Sequence, residues 1–446
     1  MSNMPDAPRI CLVCPTMWDE AELPGAAART GIGVRPFGTD VSEDPASFDA
    51  TAFIASAAQV IREERLDGVM VSDDYPGSIV AAALAHELRL PGPSPEAVLR
   101  CQHKYYSRLA QRECVPEAVP DFALVDPAAL EATAGDLAYP LFVKPVKSFF
   151  SLHAGLVRDA GELRGLADAA REHLHGFVKP LDQLLSRYAP FAHHGGGYLI
   201  AEAPLHGVQV TFEGCVFGGE MQPIGVVDSI MFPGTISFAS FHYPSMLPPD
   251  VQARMAGIAG RFVRHIGFDD GLFNIEMMYD PRADSIRIIE VNPRMCPQFA
   301  DLMEKVNGVN TYEILLAIAS GRRPVVHRPG AAFAAAASIV GRVFEDCIVR
   351  RVPGTPSCAR SPAAFPMRAS RCCVAKAAAF RKSCRTAGAS ATRFSTWAAT
   401  AASTSPRATR RPCAGCISTS SPWWRGTASR PSEPRLQRAY APRPRS

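Results

Sequence analysis

Short apolar runs alternate with amphipathic stretches over the first hundred residues. Residues 9–15, 33–37 and 66–72 read as strands, and 19–30 and 47–64 as helices. Strands separated by helix-length connections predict a parallel sheet with crossover helices. The third strand ends in Val71-Ser72-Asp73-Asp74, ahead of Gly77 and another helical stretch. Ligands of open parallel sheets sit beyond such strand ends. No GxGxxG follows any of these strands, so a dinucleotide-binding reading has little support.

Pro91-Gly92-Pro93-Ser94 is a breaker cluster and marks a boundary. After it come a helical stretch around Lys104 and strand-like runs at 141–143, 152–157, 198–201, 208–217 and 222–228. This spacing predicts an α+β region. Its most informative part runs from Leu272 to Asn292, where two stretches of alternating character flank the turn Asp280-Pro281-Arg282-Ala283-Asp284 and read as a β-hairpin. A hairpin symmetric about Ala283 puts Glu276 opposite Glu290 and Asn274 opposite Asn292, all four on one side. Directly opposed side chains have Cβ atoms roughly 4.5–5.5 Å apart, where like charges are destabilising. A hard divalent cation would compensate, since Mg²⁺ is usually held by one or two carboxylates together with substrate phosphates. Asn292 adds a third oxygen; a solvated face on which two glutamates happen to meet is the alternative.

The formal net charge of +4 conceals two unlike parts. Of 47 Lys and Arg and 43 Asp and Glu, residues 352–446 hold 17 of the basic residues and one acid, Glu433. Residues 1–351 therefore carry a net −12 and the remainder +16. An acidic body argues against a nucleic-acid enzyme, because phosphate-tracking surfaces are built from clustered Lys and Arg. There is no 18-residue apolar run and no signal-peptide pattern, so a cytoplasmic location without a membrane partner is expected. The body cysteines Cys11, Cys14, Cys101, Cys114, Cys215, Cys296 and Cys347 show no framework spacing and are expected to be buried or inert. From about Val352 the chain turns to Ala, Arg, Ser, Thr, Pro and Cys without apolar periodicity, yet it carries six cysteines and Trp397, Trp423 and Trp424. Disordered basic tails are poor in such residues. Residues 352–446 accordingly read as a disordered, aberrant segment translated out of frame from a GC-rich sequence, with a basic partner-binding tail as the alternative.

Glu276, followed by Glu290-Val291-Asn292-Pro293-Arg294, resembles the ATP-grasp signature in which an acidic strand precedes E-[IV]-N-P-R. Other elements come in that family's order over roughly residues 96 to 325: Lys104 in Cys101-Gln102-His103-Lys104, Lys144 in Leu141-Phe142-Val143-Lys144-Pro145, and Glu202 in the run from Leu199 to Gly207. The resemblance implies that Glu276, Glu290 and Asn292 bind Mg²⁺, or Mn²⁺ in its place, at the phosphates of ATP. It implies that Lys104 and Lys144 neutralise the α and β phosphates, and that Glu202 with backbone groups of Ala203 and Leu205 reads adenine. Gln209 stands where relatives often carry a ribose-binding acid, with Glu213 as the substitute. Arg294 would hold the substrate carboxylate or its acyl phosphate, a role that suits the planar guanidinium fork. Phe177-Val178-Lys179-Pro180 repeats the lysine motif, but Lys179 is set aside because it lies between helical patterns. Lys147-Ser148-Phe149-Phe150-Ser151 replaces the family's glycine-rich loop. Ser72, Asp73, Asp228, Ser229 and His242 are further candidates for a substrate pocket, and the run from His193 to Gly197 reads as a loop.

The implied architecture is a parallel α/β pre-ATP-grasp domain over 1–95, then a two-subdomain ATP-grasp fold over 96–330 with a lid at about 120–205. The start of a C-terminal subdomain at 331–351 precedes the tail. The implied activity is an ADP-forming carboxylate–amine ligase that uses ATP and Mg²⁺, takes small-molecule carboxylate and amine substrates, and is open to homo-oligomer formation. Another ATP-grasp reaction such as carboxylation, a non-catalytic ATP-binding protein, and a product left defective by its scrambled C-terminus remain as alternatives. Resequencing the coding region checks the tail: a frame change near codon 352 is expected, and one intact frame through it rules that reading out.

Overall fold

Three parallel strands form where the N-terminal alternation puts them. β1 (Arg9–Val13), β2 (Gly33–Phe37) and β3 (Gly68–Met70) pair in the order β2-β1-β3. The structure is a computed structural model, and it describes residues 7–41, 45–132, 134–148, 152–341, 344 and 398–403. The crossover helix α1 (Met17–Thr30) begins two residues before the predicted start, because the Asp19 carboxylate accepts the Thr16 N–H at 2.6 Å and caps the first turn. Helix α2 (Ala50–Glu64) begins later than predicted. Asp49 caps it by accepting the Ala52 N–H at 3.0 Å, and 45–47 form a separate 3₁₀ turn. The third strand is shorter than the apolar run suggested. Residues 71–74 leave its end before α3 (Gly77–Leu88), so Asp73 and Asp74 stand at the carboxyl edge of the sheet.

The breaker cluster leads into α4 (Pro95–Gln102), whose first turn is capped by Ser94 Oγ accepting the Ala97 N–H at 3.2 Å. Helix α5 (Lys104–Cys114) follows at once. Next come β4 (Phe122–Val125), β5 (Leu141–Pro145), β6 (Gly155–Val157) and β7 (Leu199–Glu202), an antiparallel sheet in the order β4-β7-β5-β6. Helices α6 (Ala160–Phe177) and α7 (Lys179–Tyr188) lie between β6 and β7 in the chain. Val143, Leu199 and Ala201 of the sheet and Leu163, Ala167 and Ala170 of α6 share one apolar core.

The largest sheet is antiparallel throughout. It contains β8 (Val208–Phe217), β9 (Glu220–Met231), β10 (Phe238–Tyr243), β11 (Gly271–Asp280), β12 (Ser285–Asn292), β13 (Ala335–Val340) and β14 (Ala398–Ser403), in the order β12-β11-β8-β9-β10-β13-β14. Helix α8 (Pro249–His265) precedes β11, and α9 (Ala300–Asn307) and α10 (Thr311–Ala319) follow β12. The described residues up to 403 belong to one compact unit. Ile10, Leu12 and Met70 of the parallel sheet pack in one core with Met295, Phe299 and Leu302 beyond β12.

The tail departs from expectation in one place. Residues 398–403, inside the segment read as disordered, form β14 on the outer edge of β13. Strand addition draws on unpaired backbone groups and does not require the apolar periodicity whose absence suggested disorder. The rest of 352–446, including Trp397, Trp423 and Trp424, lies outside the described residues, as does Cys347. Cys11, Cys14, Cys101 and Cys215 are buried free thiols, and Cys114 and Cys296 are partly buried. Among the described residues no helix is long and apolar enough to cross a membrane.

Gly207 joins β7 to β8 at a φ of +129°, and a Cβ built there would lie 2.1 Å from the Tyr279 carbonyl oxygen on β11. Gly207→Ala is therefore expected to cost about 1–3 kcal/mol of stability through backbone strain. Denaturant unfolding measures it, and a wild-type midpoint would show that this junction relaxes freely.

Candidate active site

β11 and β12 bring Glu276 opposite Glu290 and Asn274 opposite Asn292, as the alternation predicts. Thr211 stands beside Glu276 and Glu213 beside Asn274 on β8, so one face of the sheet carries a band of oxygen-bearing side chains. The symmetric register ends at Glu276. Met277 pairs with Ile288, which leaves Ile289 without a partner on β11, as a bulge. The Ile289 carbonyl instead accepts from Arg108 Nη2 at 2.9 Å and Lys144 Nζ at 3.2 Å. Asn292 Nδ2 donates to Asn274 Oδ1 at 2.9 Å, which turns the Asn292 amide oxygen away from Asn274.

Cations from several elements converge on this band. Lys104 opens α5, where its N–H is held by the Val146 carbonyl at 2.9 Å, and its ammonium lies 3.1 Å from Glu290 Oε2. Lys144, on β5, is 2.9 Å from Glu202 Oε2, and Arg108 Nε is 2.6 Å from Glu202 Oε1. Lys147 lies 3.1 Å from Asp74 Oδ2, and Arg294 Nε stands 3.6 Å from Asp74 Oδ1. Gln102 links the two sides: Nε2 donates to Asp74 Oδ1 at 2.9 Å, and Oε1 accepts from Lys147.

These neighbours set the charge states. Burial pushes Glu276 up, and the charge of Glu290 adds to the push. Burial acts on Glu290 too, but Lys104, Lys144 and Lys147 outweigh it and hold that carboxylate below the ordinary range. Burial would also raise Glu202, yet Arg108 and Lys144 hold it at about 2. Asp73 is pushed up to about 7 by burial and by the charge of Asp74. Asp74, beside Lys147 and Arg294, stays well below the carboxylate range in spite of burial.

Several expected positions are thereby redefined. The Glu202 carboxylate is taken up by two cations, and its backbone is paired with Phe122 on one side and Phe142 on the other, so a base would be met by the residues just beyond it. The Ala203 N–H donates to the Asp121 carbonyl at 2.9 Å, which leaves its carbonyl to offer, and Leu205 lies half-buried in the loop after β7. Gln209 does not stand apart as a ribose ligand; its Nε2 donates to Glu276 Oε2 at 2.9 Å. Asp228 and His242 are opposite each other and share the face of Val210 and Met277, away from Glu276. Asp228 is moreover engaged with Ser245 Oγ and, at 2.8 Å, the Met246 N–H. Ser229, one residue on, faces the carboxylate band and is buried without a hydrogen-bond partner for Oγ. Ser72 lies 3.4 Å from Thr16 Oγ1, and Asp73 Oδ2 accepts the Gly77 N–H at 3.2 Å, so Asp74, not Asp73, joins the cation cluster. Lys179 is exposed at the start of α7, and the run from His193 to Gly197 is a loop.

Sequence reasoning missed Arg108, Asp74 and Gln102. Arg108 is four residues after Lys104 on a helix, the spacing that puts two side chains on one face, and that signal would have found it. Asp74 follows Asp73 at a strand end that had already been singled out. Among the described residues no group of three or more His, Cys, Asp or Glu is arranged to hold a metal ion. The candidate metal position rests on two carboxylates and Asn292. A separate open cleft of about 930 Å³, lined by Arg62, His86, Arg89, Arg187 and Tyr188, contains none of these residues.

The segment after β12 crosses the carboxylate face as a strap. The Arg294 carbonyl accepts from Asn274 Nδ2 at 3.3 Å, the Cys296 N–H donates to Glu213 Oε1 at 2.8 Å, and Gln298 Nε2 donates to Ser338 Oγ at 3.1 Å. Glu213 is wholly buried, its other oxygen has no hydrogen-bond partner, and burial pushes it up to about 8. A carboxyl raised in the folded state binds a proton that the unfolded chain releases above its ordinary pKa near 4.3, so it imposes no cost below that pH. The cost grows as pH rises from there to about 8 and then levels off. Glu213→Gln keeps the acceptor without the charge. Its stability relative to wild type is expected to rise across this window, by up to about 1.4 kcal/mol per pH unit where the slope is full. Unfolding at a series of pH values checks this, and a difference independent of pH would refute it.

No family model matches the chain. Human carnosine synthase 1 is 26% identical over 253 residues, which make up 56% of this chain and 30% of that protein. The chain spans less than half the length of the curated relatives it matches. Among solved structures, the L-amino acid ligase from Bacillus licheniformis matches with a TM-score of 0.62 and 20% identity, covering 77% of this chain and 82% of that one. The biotin carboxylase domain of Hydrogenobacter thermophilus 2-oxoglutarate carboxylase, in complex with MgADP, ADP and bicarbonate, matches with a TM-score of 0.56 and 14% identity, covering 76% and 75%. The chain therefore shares the fold of these ligase and carboxylase structures, the fold that its resemblance to the ATP-grasp superfamily implies.

Proposed function

We propose that the protein is an ATP- and Mg²⁺-dependent ligase that activates a small carboxylate as an acyl phosphate and joins it to an amine, releasing ADP and phosphate. The observation that carries this reading is the facing pair Glu276 and Glu290, ringed by Lys104, Lys144, Lys147 and Arg294. The donor set suits Mg²⁺: two carboxylates and the Asn292 amide are hard oxygen ligands. The upward push on Glu276 supports a cation there. Held by Glu276, Glu290 and Asn292, Mg²⁺ would neutralise charge on the phosphates.

The chain's own residues supply positioning and electrostatics. Lys104 and Lys144 neutralise the phosphates, while backbone groups of Ala203 and Leu205, just beyond Glu202, hold the base. Gln209, hydrogen-bonded to Glu276, orients a metal-binding carboxylate. Arg294, loosely paired with Asp74, holds the substrate carboxylate beside the γ phosphate. A carboxylate oxygen attacks the γ phosphorus, and the bond to the ADP oxygen breaks. The amine then attacks the acyl carbon, phosphate leaves, and the amine gives up a proton. In this reading 1–95 is a pre-ATP-grasp unit, 96–330 the ATP-grasp unit and 331–351 the beginning of a further subdomain. Phosphate release measured with amines and with bicarbonate separately distinguishes ligation from carboxylation. Release with bicarbonate and no amine would replace this proposal.

Glu290→Gln is expected to lower Mg²⁺-dependent ADP formation by about a hundredfold to a thousandfold, with Glu276→Gln nearly as severe. Wild-type turnover in either variant would reduce the pair to a solvated face. The twin lysine motifs give a second comparison. Lys144→Ala should weaken ATP binding markedly in calorimetry while Lys179→Ala, at an exposed helix start, binds as wild type; equal losses would mean that the phosphate lysine is misassigned.

A further inference from the structure

Arg108 belongs to none of the motifs above, yet it is 2% exposed and bonded through every face of its guanidinium. Nε lies 2.6 Å from Glu202 Oε1, Nη2 donates to the Ile289 carbonyl at 2.9 Å, and Nη1 donates to Gln111. Gln111 is fixed in turn, donating to Ser107 Oγ at 2.8 Å. Lys144 uses the same two acceptors, Glu202 through its other oxygen at 2.9 Å and the Ile289 carbonyl at 3.2 Å. One carboxylate and one bulge carbonyl are therefore shared by two buried cations.

The sharing matters because the two cations have different fates. A lysine that serves a phosphate has to leave the carboxylate on which it rests, and a buried carboxylate stripped of its partner is strongly unfavourable. With Arg108 in place, Glu202 keeps a charge-assisted bond when Lys144 turns away, and the Ile289 carbonyl keeps a donor. Arginine suits the task because its fork spans two acceptors on separate strands, whereas a lysine at that position would offer a point charge to one. We propose that Arg108 is a positioning residue for nucleotide binding, which holds Glu202 and the bulge at Ile289 so that Lys144 can pass from its carboxylate to the phosphates. This rests on the reading of Lys144 as a phosphate lysine.

Titration calorimetry of the full chain with ATP and Mg²⁺ tests it across wild type, Arg108→Met, Glu202→Gln and the double variant. Arg108→Met leaves Lys144 as the sole partner of Glu202 and is expected to weaken ATP binding by about tenfold or more. Adding Glu202→Gln removes the charge that pins Lys144, so the double variant should bind ATP more tightly than Arg108→Met and within about threefold of Glu202→Gln alone. A purely structural arginine would give the opposite result, with the second substitution adding to the damage. Should Arg108→Met not fold, the double variant and Glu202→Gln, both free of the buried carboxylate charge, carry the comparison between them. Wild-type affinity in Arg108→Met, or a double variant about tenfold weaker than Glu202→Gln, overturns the assignment. A wild-type protein that binds no ATP overturns the reading of Lys144 itself, and this assignment with it.

Discussion

Two partly buried glutamates face each other across a hairpin, and the site is organised around that unfavourable arrangement. Charges at this separation repel by an amount that depends steeply on how much water is near. Burial makes the repulsion expensive and also makes any cation brought close far more effective than it would be in solvent. Glu290 is held charged by Lys104, Lys144 and Lys147, and Glu276, on which burial and the charge of Glu290 prevail over its nearby cations, is pushed toward neutrality. The two members of the pair are thus unlike in charge, although they sit opposite each other on adjacent strands.

The elements around the pair sit where its charge requires them. The bulge at Ile289 gives up a ladder position, and its carbonyl draws in a cation from β5 and another from α5. Arg108 and Lys144 then need a counter-charge, which Glu202 on β7 supplies, so the four-stranded sheet is tied to the seven-stranded one by polar contacts close to the glutamate pair. Asp74 at the end of the parallel sheet does the same for Lys147 and Arg294. Each tie thus brings a charged group from a different sheet into the charge balance of the site.

How much of this was legible in the sequence follows from the range of the interactions. The hairpin was, because strand alternation and a Pro/Asp turn are local, and period two alone fixes which side chains share a face. The placement of Lys144 on a strand and of Lys179 at a helix start was legible for the same reason: one copy lies in a strand pattern and the other between helical patterns. The bulge was not, since a one-residue slip leaves no compositional mark, and the symmetric register held only as far as Glu276. Asp228 and His242 were misplaced because their face of the sheet depends on pairing with β8, which their own segment does not reveal. The partners of Arg108 lie 94 and 181 residues away, and nothing near it in the chain announces them. The strand at 398–403 depends on an open edge of β13 and not on its own side-chain pattern.

Under the proposed roles the two ends of the site are prepared differently, and the difference follows from chemistry. On the phosphate side the lysines already rest on protein carboxylates, at 3.1 Å for Lys104 on Glu290 and 2.9 Å for Lys144 on Glu202. Binding a polyphosphate there is an exchange of anions, so its gain is the difference between two ion pairs and not the whole of one. On the substrate side Arg294 stands 3.6 Å from Asp74 through Nε, with Lys147 drawing on the same carboxylate. A carboxylate arriving at Arg294 displaces little and finds a planar fork with donors to spare. In the proposed reaction the strong, buried pairing lies where a highly charged nucleotide would be released again as ADP, and the weaker pairing where a carboxylate substrate would be captured.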